Sequence, residues 1–170
     1  MTTRDRRPDD LPELGRLLGE QQPGSAYPFR WPLPFPVEDF LVRPGELVAR
    51  VAVETGPAGA LLGHVSVLEP VEDVVGTALH DATGRTDLGV VSVLFTSVAA
   101  RGRGVGSLLL ADATRWAREH GLLPVLDVVA THRGAVDLYL RKGWVEVGTA
   151  RPAWLPDDEP PVLLMAAPPA

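Results

Sequence analysis

The sequence predicts an α/β (α+β) fold in one compact domain spanning residues 1–170, and three observations support this prediction. Hydrophobic residues make up 45% of the chain and charged residues 22%, which is typical of a domain that buries a core. Helix-like and strand-like segments alternate and are separated by proline and glycine, without a repeat or a long linker. The segment from Val90 to Val98 is almost continuously apolar or β-branched, as expected of a strand buried on both faces.

Composition and charge exclude several classes of protein. The absence of cysteine excludes disulfides, thiolate metal sites and a catalytic cysteine. The net charge is -6 and no block of five or more basic residues occurs, so we expect no nucleic-acid partner. The four histidines lack the spacing of metal ligands, so we expect no metal. Charges precede any apolar run at the start, and no stretch of about 18 apolar residues occurs, so we expect a cytoplasmic protein without a membrane partner.

The first half of the chain is predicted to contain two helices and a hairpin. Leucines recur at helical spacing in the first helix, and a proline suits its early positions. Four prolines between Tyr27 and Pro36 remove amide donors and stiffen an aromatic loop. The predicted segments are a helix at 9–20, this loop at 27–36, a short helix at 37–42, strands at 47–54 and 60–68 joined by a turn at 55–59, and an exposed polar excursion at 79–87.

The second half of the chain is built around a turn rich in glycine. This turn follows the apolar strand directly and leads into a helix with one apolar face, which Gly121 ends. The predicted segments are the strand at 90–98, the turn at 101–106, a helix at 107–120, a strand at 122–130, a helix at 134–142 and a final strand near 161–165.

The glycine turn is a candidate phosphate site. The first amides of the following helix lack intrahelical acceptors, and the positive end of the helix dipole attracts an anion. Gly104 and Gly106 would let that anion approach the backbone, and Arg101 and Arg103 could add charge-assisted hydrogen bonds. The pattern is neither the Rossmann fingerprint nor a Walker loop. Such turns also occur for packing alone, so the glycine spacing by itself does not distinguish a phosphate site from a packing role.

Two motifs together resemble the GNAT acyltransferase superfamily. Arg101-x-x-Gly104-x-Gly106 resembles the family's pyrophosphate-binding Arg/Gln-x-x-Gly-x-Gly/Ala signature. About thirty residues later, Ala135-Val-Asp-Leu-Tyr139-x-x-x-Gly143-Trp144 resembles its Ala-x-x-Leu-Tyr-x-x-x-Gly-Phe segment, with tryptophan in place of phenylalanine. The two motifs occur in the right order on the expected elements, and the sharp match covers about residues 90 to 145.

The resemblance implies both a fold and a co-substrate. The fold is a mixed, mostly antiparallel sheet of six or seven strands flanked by about four helices. Acetyl-CoA or another acyl-CoA would enter between two splayed parallel central strands, which here end near Val98 and Ala130. His132 stands where many members have asparagine, which leaves that contact open. The residues implied to bind the coenzyme are Thr96, Ser97, Val98, Arg101, Arg103, Gly104, Val105, Gly106, Ser107 and His132.

The resemblance also implies an N-acetyltransferase. The acetyl group of acetyl-CoA would pass by direct attack to a primary amine of a small molecule or a protein terminus. Tyr139 would protonate the departing sulfur, and a main-chain amide near Val98 would stabilise the oxyanion. A tyrosine that only packs is the alternative. The general base is not identified: the candidates are Glu54, His64, Glu69 and Asp127, and ordered water alone is the alternative.

The aromatic loop is the candidate acceptor site. Tyr27, Phe29 and Trp31 would form a wall suited to an apolar or planar acceptor, or to a cation stacked on a ring. A loop anchored to the core is the alternative, and Trp154 either closes the site from the other end or leads into the final strand. A homodimer, a non-catalytic acyl-CoA-binding module on the same fold and a nucleotide-binding protein remain open.

Overall fold

The computed structural model of the protein describes residues 1–56 and 59–169. Single turns of 3-10 helix occur at Pro8–Asp10 and Val98–Ala100. The strands are β1 (Thr2–Asp5), β2 (Glu46–Val53), β3 (Leu61–Leu68), β4 (Leu88–Thr96), β5 (Leu123–Val128), β6 (Val145–Ala150) and β7 (Val162–Ala166). The α-helices are α1 (Leu11–Ser25), α2 (Val37–Leu41), α3 (Val74–Thr83), α4 (Val105–Glu119) and α5 (Arg133–Arg141).

The strands form one mixed sheet in the order β1-β2-β3-β4-β5-β7-β6. Every neighbouring pair is antiparallel except β4 and β5, which run parallel. The predicted mixed, mostly antiparallel sheet is therefore confirmed, with seven strands. The structure has five α-helices in the described residues, where about four were expected.

The parallel pair separates soon after it forms. Backbone pairing between β4 and β5 runs only from Leu88↔Leu123 to Val90↔Val125, although both strands continue beyond these residues. The register of β4 against β3 shifts between His64 and Ser66, and Val93 takes a φ of 51°. A β-branched residue in this left-handed region is strained, and such a bulge bends its strand. The predicted splay of two parallel strands is thus confirmed, and it opens a gap at their carboxyl ends.

Helices cover both faces of the sheet. Val51 and Ala52 are neighbours in β2 and belong to different buried clusters, because successive side chains of a strand point to opposite faces. The cluster of Ala52 contains the apolar faces of α4 and α5, and that of Val51 contains α1 and α2. The third cluster joins α3, through Leu79, to the strands at the carboxyl end of the chain, including Leu164 of β7.

The predicted excursion at 79–87 is mostly exposed, but its first half is helical, which was not predicted. Residues 79–83 belong to α3, which Asp73 caps by accepting a hydrogen bond from the Gly76 amide at 2.8 Å. Gly84 ends the helix with a φ of 64°, and Leu79 is buried. The helix is hard to recognise in the sequence because only a narrow apolar stripe of it faces the core, and most residues from 80 to 83 are polar.

The other predicted elements differ from the structure mainly at their ends. The predicted hairpin is confirmed by the antiparallel pairing of β2 and β3, but residues 57 and 58 of its predicted turn lie outside the described residues. α1 continues to Ser25 through Pro23. The central parallel strands end at Thr96 and Val128 rather than near Val98 and Ala130, because a 3-10 turn begins at Val98.

Candidate active site

The separation of β4 and β5 opens into a cleft of about 1130 Å³. Its walls include the ends of both strands, the start of α4, the inner face of α5 and part of the loop between α1 and α2. The glycine turn borders this cleft together with the aromatic loop. The structure therefore brings the two main candidate sites of the sequence into one continuous space.

The glycine turn has a backbone that other residues would strain. Gly102 and Gly104 have φ values of 75° and 81°, a region that side chains disfavour. Gly104 is the N-cap of α4, and its carbonyl oxygen accepts a hydrogen bond from the Leu108 amide at 3.0 Å. The amides at the first positions of the helix precede the first intrahelical bond and lie at the cleft wall, where they can bind an anion.

Gly106 has a different explanation. A Cβ atom at this position would lie 3.5 Å from Leu138 Cδ2 and 3.7 Å from Thr96 Cγ2, both ordinary contacts, and the backbone is not in the left-handed region. Neither packing nor backbone conformation therefore requires glycine here. The residue lines the cleft, so the space that it leaves open is available to a ligand.

Both arginines of the turn already have partners. Arg101 donates from Nη2 to the carbonyl oxygen of Gln21 at 2.9 Å and lies so close to Gly24 that a Cβ there would be 2.5 Å from its Nη1. Arg103 pairs with Glu54 at 2.9 Å, and both side chains are more than 40% exposed. Such an exposed pair contributes little stability, so Arg103 can exchange its partner for a phosphate at small cost.

Most of the predicted coenzyme residues lie on the cleft. Ser97 is buried, and its amide donates to the Leu62 carbonyl oxygen at 2.8 Å. Val98 is 49% exposed on the 3-10 turn. Ser97, Val98 and Arg103 are not part of the cleft wall. The predicted coenzyme residues on the wall are Thr96, Arg101, Gly104, Val105, Gly106, Ser107 and His132.

Tyr139 reaches the cleft from α5. It is buried, and its ring centroid lies 5.9 Å from that of Trp144, the residue that replaces phenylalanine in the second motif. Burial raises the pKa of the Tyr139 phenol well above its usual value, and the neighbouring Tyr27 and Asp127 raise it further. The phenol is therefore protonated at neutral pH, which is the state that a proton donor requires.

Asp127 is the best placed of the four candidate bases. It lies on β5 and is half-buried in the cleft wall. Desolvation raises the pKa of its carboxyl group, and the positive charge of Arg43 partly offsets this effect. Glu54 lies off the cleft in its pair with Arg103, and Glu69 is exposed at the cleft wall. A desolvated carboxylate binds a proton more readily than an exposed one does.

His64 has a structural position behind the bulge of β4. Its Nδ1 lies 2.9 Å from the carbonyl oxygen of Val93 and its Nε2 lies 3.2 Å from Arg6 Nη1, which assigns the proton to Nδ1. Burial is the main cause that lowers the His64 pKa to about 4. Arg6 is held in turn by Glu46, at 2.6 Å. Both ring nitrogens thus have partners, His64 is not part of the cleft wall, and its contact supports the strained residue Val93.

Two of the three aromatic loop residues face the cleft. Tyr27 and Phe29 line it, and burial raises the Tyr27 pKa to about 12. The ring of His132 packs against both, with centroid distances of 6.4 and 6.0 Å. Trp31 does not line the cleft. It is 40% exposed, and its indole packs over Gly19 of α1, which agrees with the alternative of a loop anchored to the core.

Residues 17–144 match the sequence model of the Acetyltransferase (GNAT) family, which is about three quarters of the chain. The chain belongs to the GNAT family. The predicted resemblance is therefore confirmed, and the matched range includes both motifs from which it was inferred. A comparison with curated protein sequences gives no significant match.

Solved structures share this GNAT fold over nearly their whole lengths. An N-acetyltransferase of the GCN5-related family from Kribbella flavida has 22% identity and a TM-score of 0.70, with 99% of this chain and 97% of the other covered. A Corynebacterium glutamicum protein described as histone acetyltransferase HPA2 and related acetyltransferase has 25% identity, a TM-score of 0.67 and coverages of 99% and 96%. Spermidine N-acetyltransferase from Vibrio cholerae, in complex with CoA and spermine, has 18% identity and a TM-score of 0.69, with 97% of this chain and 93% of the other covered.

The GNAT cleft also contains residues that sequence reasoning missed. Phe40 and Arg43 line it, and no motif or spacing singles them out. Trp154, for which the sequence left open a place at the site, also lines the cleft, with its ring centroid 6.1 Å from that of Phe29. The aromatic wall is therefore built from distant parts of the chain. Among the described residues, no cluster of three or more potential metal-binding side chains is found, and no helix has the length and apolar character to cross a membrane.

Proposed function

We propose that this GNAT protein is an N-acetyltransferase that transfers the acetyl group of acetyl-CoA to a primary amine of a small molecule or a protein terminus by direct attack. The observation that carries the proposal is the shared cleft. An open helix N-terminus borders it, and a protonated tyrosine and a desolvated carboxylate, Tyr139 and Asp127, share its wall.

The residues of the cleft fit the coenzyme. Amides from Arg103 to Ser107 would hold its pyrophosphate at the start of α4, with Arg101 and Arg103 exchanging their present partners for phosphate oxygens. The pantetheine arm would lie between β4 and β5, near Thr96 to Val98, where the strands no longer pair with each other. His132 Nε2 is buried and has no hydrogen-bond partner in the described part of the chain, which supports a contact with a bound ligand.

The chemistry follows from the protonation states of the two central residues. An amine must lose a proton before it attacks, and Asp127 is placed to accept it. The amine nitrogen then bonds to the thioester carbonyl carbon. A main-chain amide near Val98, just beyond the cleft residue Thr96 at the end of β4, would stabilise the oxyanion. The carbon–sulfur bond breaks, and Tyr139 donates its proton to the sulfur. Tyr27 and Phe29 would border the acceptor, and Trp31 would act from outside the cleft by anchoring the loop.

The proposal is tested first by ligand binding and then by turnover. Because a ligand that binds only the folded state raises the melting temperature, acetyl-CoA should raise it and ATP and NAD should not. Free thiol should then be released from acetyl-CoA when a panel of primary amines is added. A shift without thiol release from any amine would favour a binding module, and a shift with ATP or NAD alone would overturn the proposal.

A further inference from the structure

Arg43 is a half-buried cation on the cleft wall whose terminal nitrogens have no partner in the described part of the chain. Its guanidinium carbon lies 4.5 Å from the centroid of the Phe40 ring, and its Nε donates to the Phe40 carbonyl oxygen at 3.3 Å. Both contacts fix the plane of the guanidinium but use none of its terminal donors. The ring of Phe40 packs edge-on against Tyr27 at 5.8 Å, so the rigid stack connects Arg43 to the aromatic wall.

The other arginines of the cleft differ from Arg43. Arg30, Arg133 and Arg141 are exposed to solvent, which screens their charges. Arg101 donates to the carbonyl oxygen of Gln21 and belongs to the glycine turn, where its proposed partner is a phosphate of the coenzyme. Arg43 therefore combines partial burial, a fixed orientation and unused donors, which is the arrangement that favours bidentate recognition of a carboxylate.

Asp127 carries the opposite charge in the same cleft. The two side chains interact through space, since Arg43 lowers the pKa of Asp127, yet they form no ion pair among the described contacts. Charges that are withdrawn from water are costly unless each has a partner. A ligand with both a cation and an anion would satisfy both groups at once.

We infer that the acetyl acceptor is an α-amino acid with an apolar side chain, its carboxylate held by Arg43 and its amine placed at Asp127. This inference rests on the proposed acetyltransferase function. The aromatic rings of Tyr27, Phe29 and Trp154 supply the surface for the side chain. An acceptor of this class satisfies the cation, the carboxylate and the apolar wall together.

The proposed reaction balances in atoms and charge. The ammonium group gives one proton to Asp127, and the resulting amine bonds to the acetyl carbon. The carbon–sulfur bond breaks with both electrons on sulfur, which takes the proton of Tyr139. The nitrogen then gives its second proton to the Tyr139 phenolate, and Asp127 releases the first proton to solvent. The products are therefore an N-acetyl amino acid, the free coenzyme thiol and one proton, and both protein groups return to their starting states.

The turnover experiment compares acceptors that differ only in the carboxylate. Thiol release is measured with leucine and phenylalanine, with their amides and with the decarboxylated amines. The acids should have kcat/KM values about tenfold or more above their amides, because a charge-assisted pair is lost in the amide. Arg43→Gln should raise KM for the acids about 10- to 100-fold. Any effect through Asp127 is common to both acceptors, so kcat/KM should fall at least tenfold more for the acids than for the amides. Arg30→Gln, on the same cleft, is the matched control and should change neither.

A simpler role for Arg43 would give a different pattern. If Arg43 only keeps Asp127 ionised, Arg43→Gln would lower turnover of acids, amides and amines alike. That result, or a preference of the wild-type protein for the amides or amines, would overturn the inference. Melting temperatures of both variants establish that they are folded.

A binding experiment separates this inference from the proposed function. Calorimetry compares N-acetylleucine with N-acetylleucinamide on the CoA-loaded wild-type protein and on Arg43→Gln. Selective binding of the acid that requires Arg43 would support the anion site even if no amine is turned over, and only the catalytic proposal would then fail. Equal binding of both compounds, or no binding of either, would overturn the inference whatever the turnover.

Discussion

A phenol and a carboxylate on the cleft wall have separate roles in the proposed catalysis. Tyr139 is held protonated by burial, and Asp127 is desolvated but remains beside the positive charge of Arg43. Neighbouring groups whose environments adjust their pKa values for giving and for taking a proton are typical of acid–base sites. The two residues therefore make separate predictions.

Replacement of Tyr139 by phenylalanine should remove the proton donor and leave the packing. The ring contact with Trp144 remains, so the melting temperature should change little. We expect kcat to fall about 100-fold or more, as is typical when a positioned general acid is lost. Tyr27→Phe is the matched control, since it removes a second phenol from the same cleft. Unchanged kcat in Tyr139→Phe would mean that this tyrosine only packs.

Replacement of Asp127 by asparagine should remove the proton acceptor. In the wild-type protein kcat/KM should rise with pH as Asp127 ionises, through a pKa above the ordinary aspartate value because the carboxyl is desolvated. In the variant, the pH profile of kcat/KM should lose the rise that Asp127 causes and keep only the rise that comes from deprotonation of the amine itself. Glu69→Gln, an exposed carboxylate on the same cleft, should keep both limbs. A limb that survives in Asp127→Asn would assign it to another group.

At the scale of single elements, two glycines of one turn are present for different reasons. Gly104→Ala places a Cβ in the left-handed region and should lower the free energy of unfolding by about 1–2 kcal/mol. Gly106→Ala meets only ordinary contacts and should leave this free energy unchanged or raise it by up to about 1 kcal/mol. Urea denaturation of both variants measures the difference. Equal losses would show that the turn requires glycine at both positions for folding alone.

The bulge of β4 gives the stability of the protein a dependence on pH. His64 is neutral when folded because burial lowers its pKa to about 4 from 6.5, so the unfolded chain binds more protons between these values. The His64 contribution to stability is present above pH 6.5 and is lost as the pH falls toward 4. His64→Gln should reduce the slope of the unfolding free energy in this window by up to about 1.4 kcal/mol per pH unit. Denaturant titrations at several pH values test it, and an unchanged slope would contradict the assignment.

Sequence reasoning located those elements that carry their own pattern. β4 is apolar almost throughout, and the hairpin of β2 and β3 is marked by its glycine-rich turn, so both were predicted. β1 has the sequence Thr-Thr-Arg-Asp and no apolar residue, and it exists because β2 offers an edge. β6 contains Gly148 and a register shift against β7, which weaken its pattern. These two strands lack a sequence pattern of their own and are formed through backbone pairing with β2 and β7.

At the scale of the whole molecule, the candidate site combines local and distant information. The glycine turn and Tyr139 were predicted because each belongs to a contiguous motif whose backbone and side chains act together. Arg43, Asp127 and Trp154 come from three distant parts of the chain, and only the fold places them on one cleft. Spacing along a sequence does not encode such proximity, so neither the arginine nor the choice among bases was predictable.

Because β4 and β5 pair only briefly, each has an unpaired strand edge inside the sheet, and the two unpaired edges face each other. Beyond Val90 and Val125, backbone donors and acceptors of both strands are no longer shared between them, although neither strand is at the outside of the sheet. Exposed edges ordinarily invite pairing with strands of other chains. Here the unshared groups lie where the two strands open into the cleft. A slender, extended ligand in the cleft would therefore find strand-like hydrogen-bonding partners in the middle of the sheet.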